Sequence, residues 1–365
     1  MKTIMVVFGT RPEAIKMCPL VLELKRRNKY KVIVCVTGQH KEMLQPVLDI
    51  FNVKPDYDLH IMREEQSLFD ITNNIMLKME AVLKECEPDL VLVHGDTSTS
   101  FAAALSCYYK KIEVGHVEAG LRTYDIYSPY PEEFNRQAVD IIAKYKFVPT
   151  ELTRNNLLNE GKAKGSIFVT GNTVIDALKT TIRVDYSHKE LEWVGNSRLI
   201  LITAHRRENI GNPMRNMFRA IRRVCKEFQD IKVIYPIHMN PAVRSIAQEI
   251  FVQDDQIHII EPLNVLDFHN FMSKSYIILT DSGGIQEEAS ALSKPVLVMR
   301  GTTERPEGIS AGTLRLVGTE ENSIYSNFKQ LLLDSTEYLR MSQARNPYGD
   351  GHASEKIADI IENIL

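Results

Sequence analysis

Short apolar runs dominated by Val, Ile and Leu recur along this chain, and between them lie segments whose apolar residues return every third or fourth position. The runs at 3–8, 31–37, 90–94, 112–117, 145–148 and 167–170 read as buried strands. Segment 67–86 shows the intervening pattern: Leu68, Ile71, Ile75, Met79, Val82 and Leu83 fall on one face of a helix. A second series of runs, at 199–203, 232–235, 257–260, 276–280, 296–299 and 314–317, alternates with helices in the same way. Such alternation builds right-handed βαβ crossovers and parallel sheets with helices on both faces. The expectation is an α/β protein of two doubly wound domains facing a cleft, with the weakly patterned stretch 184–197 as a connector. The first domain is assigned to residues 1–172 and the second to 173–352. After the breaker Asn346-Pro347-Tyr348-Gly349-Asp350-Gly351, the amphipathic tail 353–365 is expected to return and cap the first domain.

Open parallel sheets bind ligands at the carboxyl ends of their strands, and the chemically informative residues lie there. The run 276–280 breaks at Asp281-Ser282-Gly283-Gly284, and helical spacing resumes at Ile285, Ala289 and Leu292. The first amides of a helix lack internal partners and the macrodipole is positive there, so Gly283 and Gly284 would let a phosphate approach the backbone. Ser282 fits either as a further donor or as an ordinary N-cap. Glu288, one turn on, could accept from two vicinal ribose hydroxyls. The first strand ends Phe8-Gly9-Thr10-Arg11-Pro12-Glu13, which has neither G-x-G-x-x-G nor the later acid of a dinucleotide site. Arg11 and Lys16 could reach a pyrophosphate or simply be solvated.

Carboxylates gather at the next strand ends. Asp96 follows His94-Gly95 and could be an N-cap; Glu118 follows Gly115-His116-Val117; and Glu132 lies in a loop of tyrosines and prolines (Tyr124, Tyr127, Pro129, Tyr130, Pro131). Three acids on neighbouring loops need cations or protons, and crowding would raise at least one pKa, as an acid and base pair at neutral pH requires. In the second domain His205 and Arg206 end the run 199–203, where an imidazole could bind or protonate a phosphate leaving group. The backbone at Leu263 and the ring of Phe268 could read and stack a base, although Phe268 also suits a core. Arg305 belongs to a further strand-end loop.

Composition narrows the class. With 44% hydrophobic and 25% charged residues and a net charge of -3, the chain is a globular protein with no global attraction to nucleic acid or anionic lipid. Five cysteines lie singly without a C-x-x-C pair, which points to reduced thiols in the cytoplasm. His116-Val117-Glu118 matches half of a zinc-deaminase signature whose P-C-x-x-C half is missing, so no metal is expected. Residues 1–8 are too short for a signal h-region, and no apolar run approaches the roughly 20 residues of a membrane span.

The strings Phe8-Gly-Thr-Arg-Pro-Glu, His94-Gly-Asp-Thr, Gly115-His-Val-Glu-Ala-Gly-Leu-Arg-Thr, Pro131-Glu-Glu, Ala204-His-Arg-Arg-Glu, Thr280-Asp-Ser-Gly-Gly-Ile-Gln-Glu-Glu and Thr303-Glu-Arg-Pro-Glu together resemble the bacterial non-hydrolysing UDP-N-acetylglucosamine 2-epimerases. The resemblance implies the glycosyltransferase-B architecture of two Rossmann-like domains, usually as a homodimer, without a cofactor. It implies interconversion of UDP-GlcNAc and UDP-ManNAc for surface polysaccharide or wall polymer synthesis, through anti elimination of UDP to a bound 2-acetamidoglucal and re-addition. Carried over position by position, Asp96, Glu118 and Glu132 are the acid and base candidates, with His205 at the diphosphate. Arg11 and Lys16 would bind phosphate or sugar, Ser282, Gly283 and Gly284 the diphosphate, Glu288 the ribose, Leu263 and Phe268 the uracil, and Arg305 the substrate near the reacting centre. Some members bind a second UDP-GlcNAc as activator, and Gln39, His40, Arg206 and His238 match that pattern, whereas Glu42 and Glu65 depart from it.

Overall fold

Seven parallel strands form the first sheet: β1 (Thr3–Phe8), β2 (Lys31–Val36), β3 (Tyr57–Asp58), β4 (Leu90–His94), β5 (Glu113–Val117), β6 (Tyr145–Val148) and β7 (Ile167–Val169), in the order β3-β2-β1-β4-β5-β6-β7. Six more form the second: β8 (Arg198–Thr203), β9 (Ile231–Pro236), β10 (Ile257–Ile260), β11 (Ile277–Thr280), β12 (Val296–Val298) and β13 (Leu314–Leu316), ordered β10-β9-β8-β11-β12-β13. The helices of the first unit are α1 (Arg11–Arg27), α2 (Lys41–Phe51), α3 (Leu68–Cys86), α4 (Ser98–Lys110), α5 (Glu132–Ile142), α6 (Glu151–Asn159) and α7 (Thr173–Thr181). Those of the second are α8 (Lys189–Val194), α9 (Asn212–Glu227), α10 (Pro241–Phe251), α11 (Val265–Lys274), α12 (Gly283–Ala291), α13 (Pro306–Ala311), α14 (Glu321–Leu333) and α15 (Ser335–Ser342); α16 (Ala353–Ile364) follows. This computed structural model describes residues 1–38, 41–63, 66–252 and 254–365, without the side chains of 41–43. Gln39, His40 and Glu65, and the Glu42 side chain, lie outside the described residues.

The chain divides into Met1–Thr180 with Tyr348–Leu365, and Thr181–Pro347. The division falls in the last turn of α7, between Thr180 and Thr181, rather than at residue 172, because Asp176 of α7 accepts bonds from the N–H groups of Ala353 (3.1 Å) and Ser354 (2.7 Å) at the start of α16. That helix lies along α1, where Arg27 bonds Asp359 (2.6 Å) and Glu362 (3.1 Å), and it buries Ile357 and Ile361.

Strands buried on both faces need apolar residues throughout, and Ile4 to Phe8 of β1 and Ile277 to Leu279 of β11 are wholly buried. The two-residue β3 is too short to leave a sequence pattern. On α3 the stripe Ile75, Met79, Val82 and Leu83 is buried as its spacing predicts, whereas Leu68 in the first turn is exposed. In both sheets the strand order reverses beside the first strand, between β1 and β4 and between β8 and β11. Strand register brings neighbouring strand ends level: Gly95 N–H after β4 bonds Val117 O of β5 (2.9 Å), and Thr203 of β8 pairs with Thr280 of β11. Among the described residues no helix is long and apolar enough to cross a membrane, and no group of three His, Cys, Asp or Glu side chains is arranged to hold a metal ion.

Candidate active site

The carboxyl ends of β1 and β4 in the first unit are tied together by one buried acid. Glu13, in the first turn of α1, accepts from the N–H groups of Gly9 (3.0 Å) and Thr10 (2.8 Å) and from the hydroxyls of Thr97 (2.7 Å) and Ser100 (3.0 Å). The loops after β1 and β4 are thereby locked to each other. A second tie is His116, fully buried, whose nitrogens contact Asp140 (2.7 Å) and Gly95 O (2.7 Å). Burial raises the Asp140 pKa, but His116 and Arg122 outweigh it and hold the carboxyl below the ordinary range. His116 is therefore committed to fixing the turn that carries Asp96.

Asp96 is not an N-cap: Thr97 holds that position on α4 and accepts from Ser100 N–H. The Asp96 side chain, 28% exposed, instead receives Arg136 Nη2 at 2.5 Å. Glu118 sits just beyond β5 with φ of +64°, a left-handed conformation that costs about 1 kcal/mol or more for a non-glycine residue. Its Oε2 atom receives Lys16 Nζ and Asn172 Nδ2 (2.7 Å), and His94 Nε2 lies 3.7 Å away. Lys16, expected to meet phosphate or sugar, is thus an ion-pair partner of Glu118 here. Two of the three acids are matched by a cation.

The two acids that open α5 differ. Glu133 is fully buried and accepts from Thr123 N–H and Tyr124 N–H (3.1 Å each), Gln137 and Arg136, so it anchors the loop. Glu132 is half-buried, and its carboxylate makes no hydrogen bond or ion pair among the described residues. Arg11, in the first turn of α1, is half-buried at the end of β1.

In the second unit the matching switch point holds the residues suited to an anion. Ser282 occupies the N-cap position of α12, yet its hydroxyl does not cap the helix. A Cβ placed on Gly283 would lie 3.7 Å from Nη2 of Arg206 and from Nη1 of Arg305, so two guanidinium groups converge on the first turn, while the same position on Gly284 meets open space. Arg305 is held by the buried Glu287 (2.7 Å), and its N–H bonds Thr303, which in turn bonds Gln286 (2.7 Å). Asp281, fully buried, accepts from the N–H groups of His205 (3.1 Å) and Arg206 (3.0 Å) and from Asn209 Nδ2 (3.0 Å), which shapes the loop after β8. The His205 ring stacks on His238 at 5.1 Å. Desolvation holds the His205 pKa below its ordinary value, against the pull of Asp281 and with His238 and Arg206 adding to the depression. Glu288 lies 3.6 Å from the buried His269. Leu263 and Phe268 are partly buried against the apolar cluster around Phe271 and Ala289, so the Phe268 ring serves the core and also keeps an accessible edge.

Several residues here carry no local signal. Glu133, Arg136, Asn172 and Asp281 act through bonds to loops distant in sequence, whereas Glu13 also closes a capping box with Thr10, which is a local signature. For Asn172 the available hint is its place just past the end of β7, where strand-end loops carry ligands.

Two parallel sheets of this order in one chain, each with its polar residues at the switch point, define an α/β protein of the glycosyltransferase-B architecture. The family model described as UDP-N-acetylglucosamine 2-epimerase matches residues 22–362, and the chain belongs to that family. A Bacillus subtilis UDP-N-acetylglucosamine 2-epimerase is 59% identical over 98% of this chain and 94% of its own length. The Neisseria meningitidis UDP-GlcNAc 2-epimerase, solved bound to UDP-GlcNAc, superposes with a TM-score of 0.92 at 48% identity and full coverage of both chains. An S. aureus MnaA co-structure with UDP gives a TM-score of 0.93 at 50% identity, covering 100% of this chain and 97% of that one.

Proposed function

We propose that this chain is a non-hydrolysing UDP-N-acetylglucosamine 2-epimerase that interconverts UDP-GlcNAc and UDP-ManNAc. The observation that carries the reading is the set of acids at adjoining strand ends of the first unit, two of them steadied by Lys16 and Arg136, matched in the second unit by an uncapped helix start flanked by Arg206 and Arg305. UDP is held by the second unit: diphosphate on Ser282, Gly283 and Gly284, ribose on Glu288, uracil by Leu263 and Phe268. Arg11 and Arg305 meet the phosphates and sugar.

A carboxylate of the Asp96, Glu118 and Glu132 set takes the proton from C2 while the C1–O bond breaks. The C2–H electron pair becomes the C1=C2 bond, and UDP departs with the C1–O pair as its β-phosphate charge is met by the arginines and the helix amides. His205 stands at the diphosphate. Re-addition returns UDP to C1 and delivers a proton to the other face of C2 from a second acid of the set. The product would feed surface polysaccharide or wall polymer synthesis in the cytoplasm. A homodimer is supported by the exposed Phe69, Leu77, Tyr108, Tyr109 and Ile141 on α3, α4 and α5. Activation by a second UDP-GlcNAc would use Arg206 and His238 with Gln39 and His40.

Incubating the protein with UDP-GlcNAc in D2O tests this. Deuterium at C2 and UDP-ManNAc with little free sugar are expected; exchange without inversion, or release of UDP and free sugar alone, would overturn it.

A further inference from the structure

Asn172 reaches Glu118 from outside every string that relates this chain to its family. Its side chain is pinned at both ends: Oδ1 accepts from Val174 N–H at 3.0 Å, and Nδ2 donates to Glu118 Oε2 at 2.7 Å. The reverse amide orientation would set an oxygen against the carboxylate and an NH2 group against an N–H, so the two contacts fix the direction of donation. The Asn172 backbone is pinned as well. Its N–H donates to Tyr348 O at 2.8 Å, and the Gly171 and Gly349 backbones approach so closely that a Cβ on Gly349 would lie 3.2 Å from Gly171 Cα and 3.4 Å from Asn172 N. Tyr348 and Asn172 are both buried.

Glu118 needs such support. With φ of +64° its backbone is strained, and its carboxylate must be aimed without help from a regular strand. Lys16 supplies charge through a flexible stem, and His94 Nε2, buried and without a hydrogen-bond partner among the described residues, lies 3.7 Å off. A short amide locked at both ends supplies direction instead.

We propose that Asn172 is the positioning residue that aims the Glu118 carboxylate at C2, and that the return segment at Tyr348 and Gly349 sets Asn172 in place. This rests on the epimerase reading given above. Asn172 is buried against the acid that it bonds, so its effect falls on turnover rather than on nucleotide binding.

The test is Asn172→Asp, which keeps the acceptor for Val174 N–H but replaces the donor with a carboxylate facing Glu118, Lys16 and His94. Two carboxylates in contact share a proton at raised pKa. At alkaline pH the pair is fully charged and kcat should fall about 100-fold or more, with KM within about threefold. As pH is lowered, the introduced carboxyl gains a proton, donates it to Glu118 in hydrogen bonding, and the rate relative to wild type should recover. Asn172→Ser, which cannot span the distance, should lose kcat without acid recovery. C2 deuterium exchange, UDP affinity by calorimetry and the Tm are followed for each variant. Gly349→Ala, through the close approach to Gly171, should lower kcat in the same direction. Rates within about threefold of wild type for both Asn172 variants overturn the positioning role, as does a loss of UDP affinity and Tm that matches the loss of rate with no recovery in acid. Wild-type protein that exchanges no C2 hydrogen overturns the epimerase reading itself, which separates the two failures.

Discussion

Replacing Asp281 by alanine should unmake the loop that carries His205 and Arg206. The carboxylate is fully buried, and three donors end on it: His205 N–H, Arg206 N–H and Asn209 Nδ2. A bond to a charged acceptor contributes about 1.5–3 kcal/mol, and a buried donor left without a partner costs about 1–3 kcal/mol. The loop is partly exposed at His205, so water can recover some of this, and the net cost of Asp281→Ala is about 3–5 kcal/mol. That is a large share of a typical stability of about 5–15 kcal/mol. For a unit the size of Thr181–Pro347, about 2–4 °C of Tm per kcal/mol gives a fall of roughly 6–20 °C in the transition of that unit. Differential scanning calorimetry with and without UDP reads both effects, since the displaced Arg206 should also weaken UDP binding. Asp281→Asn keeps one oxygen and should fall between the two. A Tm lowered by less than about 2 °C in Asp281→Ala, with unchanged UDP affinity, would refute this account of the loop.

Asp96→Asn should abolish C2 exchange while UDP still binds, read by NMR in D2O and by calorimetry; full exchange would remove Asp96 from the mechanism. The neighbours Glu132 and Glu133 should separate cleanly: Glu132→Gln loses turnover at an unchanged Tm, whereas Glu133→Gln, which keeps one oxygen but sets an NH2 group against two of the donors Thr123, Tyr124, Gln137 and Arg136 and removes the charge that Arg136 meets, lowers the Tm by several degrees as well. Burial alone would raise the Glu304 pKa, but the Arg300 fork and the nearby Arg206 hold it at about 2. A depressed carboxyl stabilises the fold above its unfolded pKa and loses that contribution as pH falls, here about 3 kcal/mol between roughly pH 4.5 and 2. Urea midpoints at pH 6 and pH 3 should therefore differ less in Glu304→Gln than in wild type; equal differences would show that Glu304 contributes nothing to the acid sensitivity.

Much of this protein is written locally. The strands, the helices that cover them and the turns at Gly9, Gly95 and Gly283-Gly284 follow from periodicity and from residues that break it, because each depends on side chains a few positions apart. The acids and cations at strand ends could be found for the same reason: in a parallel sheet every strand end faces the same edge. What each of them touches could not be found in this way. Glu132 and Glu133 are the same residue type one position apart, and only the packing of α5 buries one and leaves the other accessible. Ser282 sits at an N-cap position in any reading, yet its hydroxyl does not cap the helix. Lys16 pairs with Glu118, Asp281 shapes the loop of His205, and Asn172 is held between Glu118 and Tyr348, all across separations much longer than any periodic signal. These pairings come from strand order and register, which bring distant loops level at the switch points. Chemistry of each residue type was settled by the sequence; the choice of partner, and with it the division between structural and reactive groups, was settled by the tertiary fold.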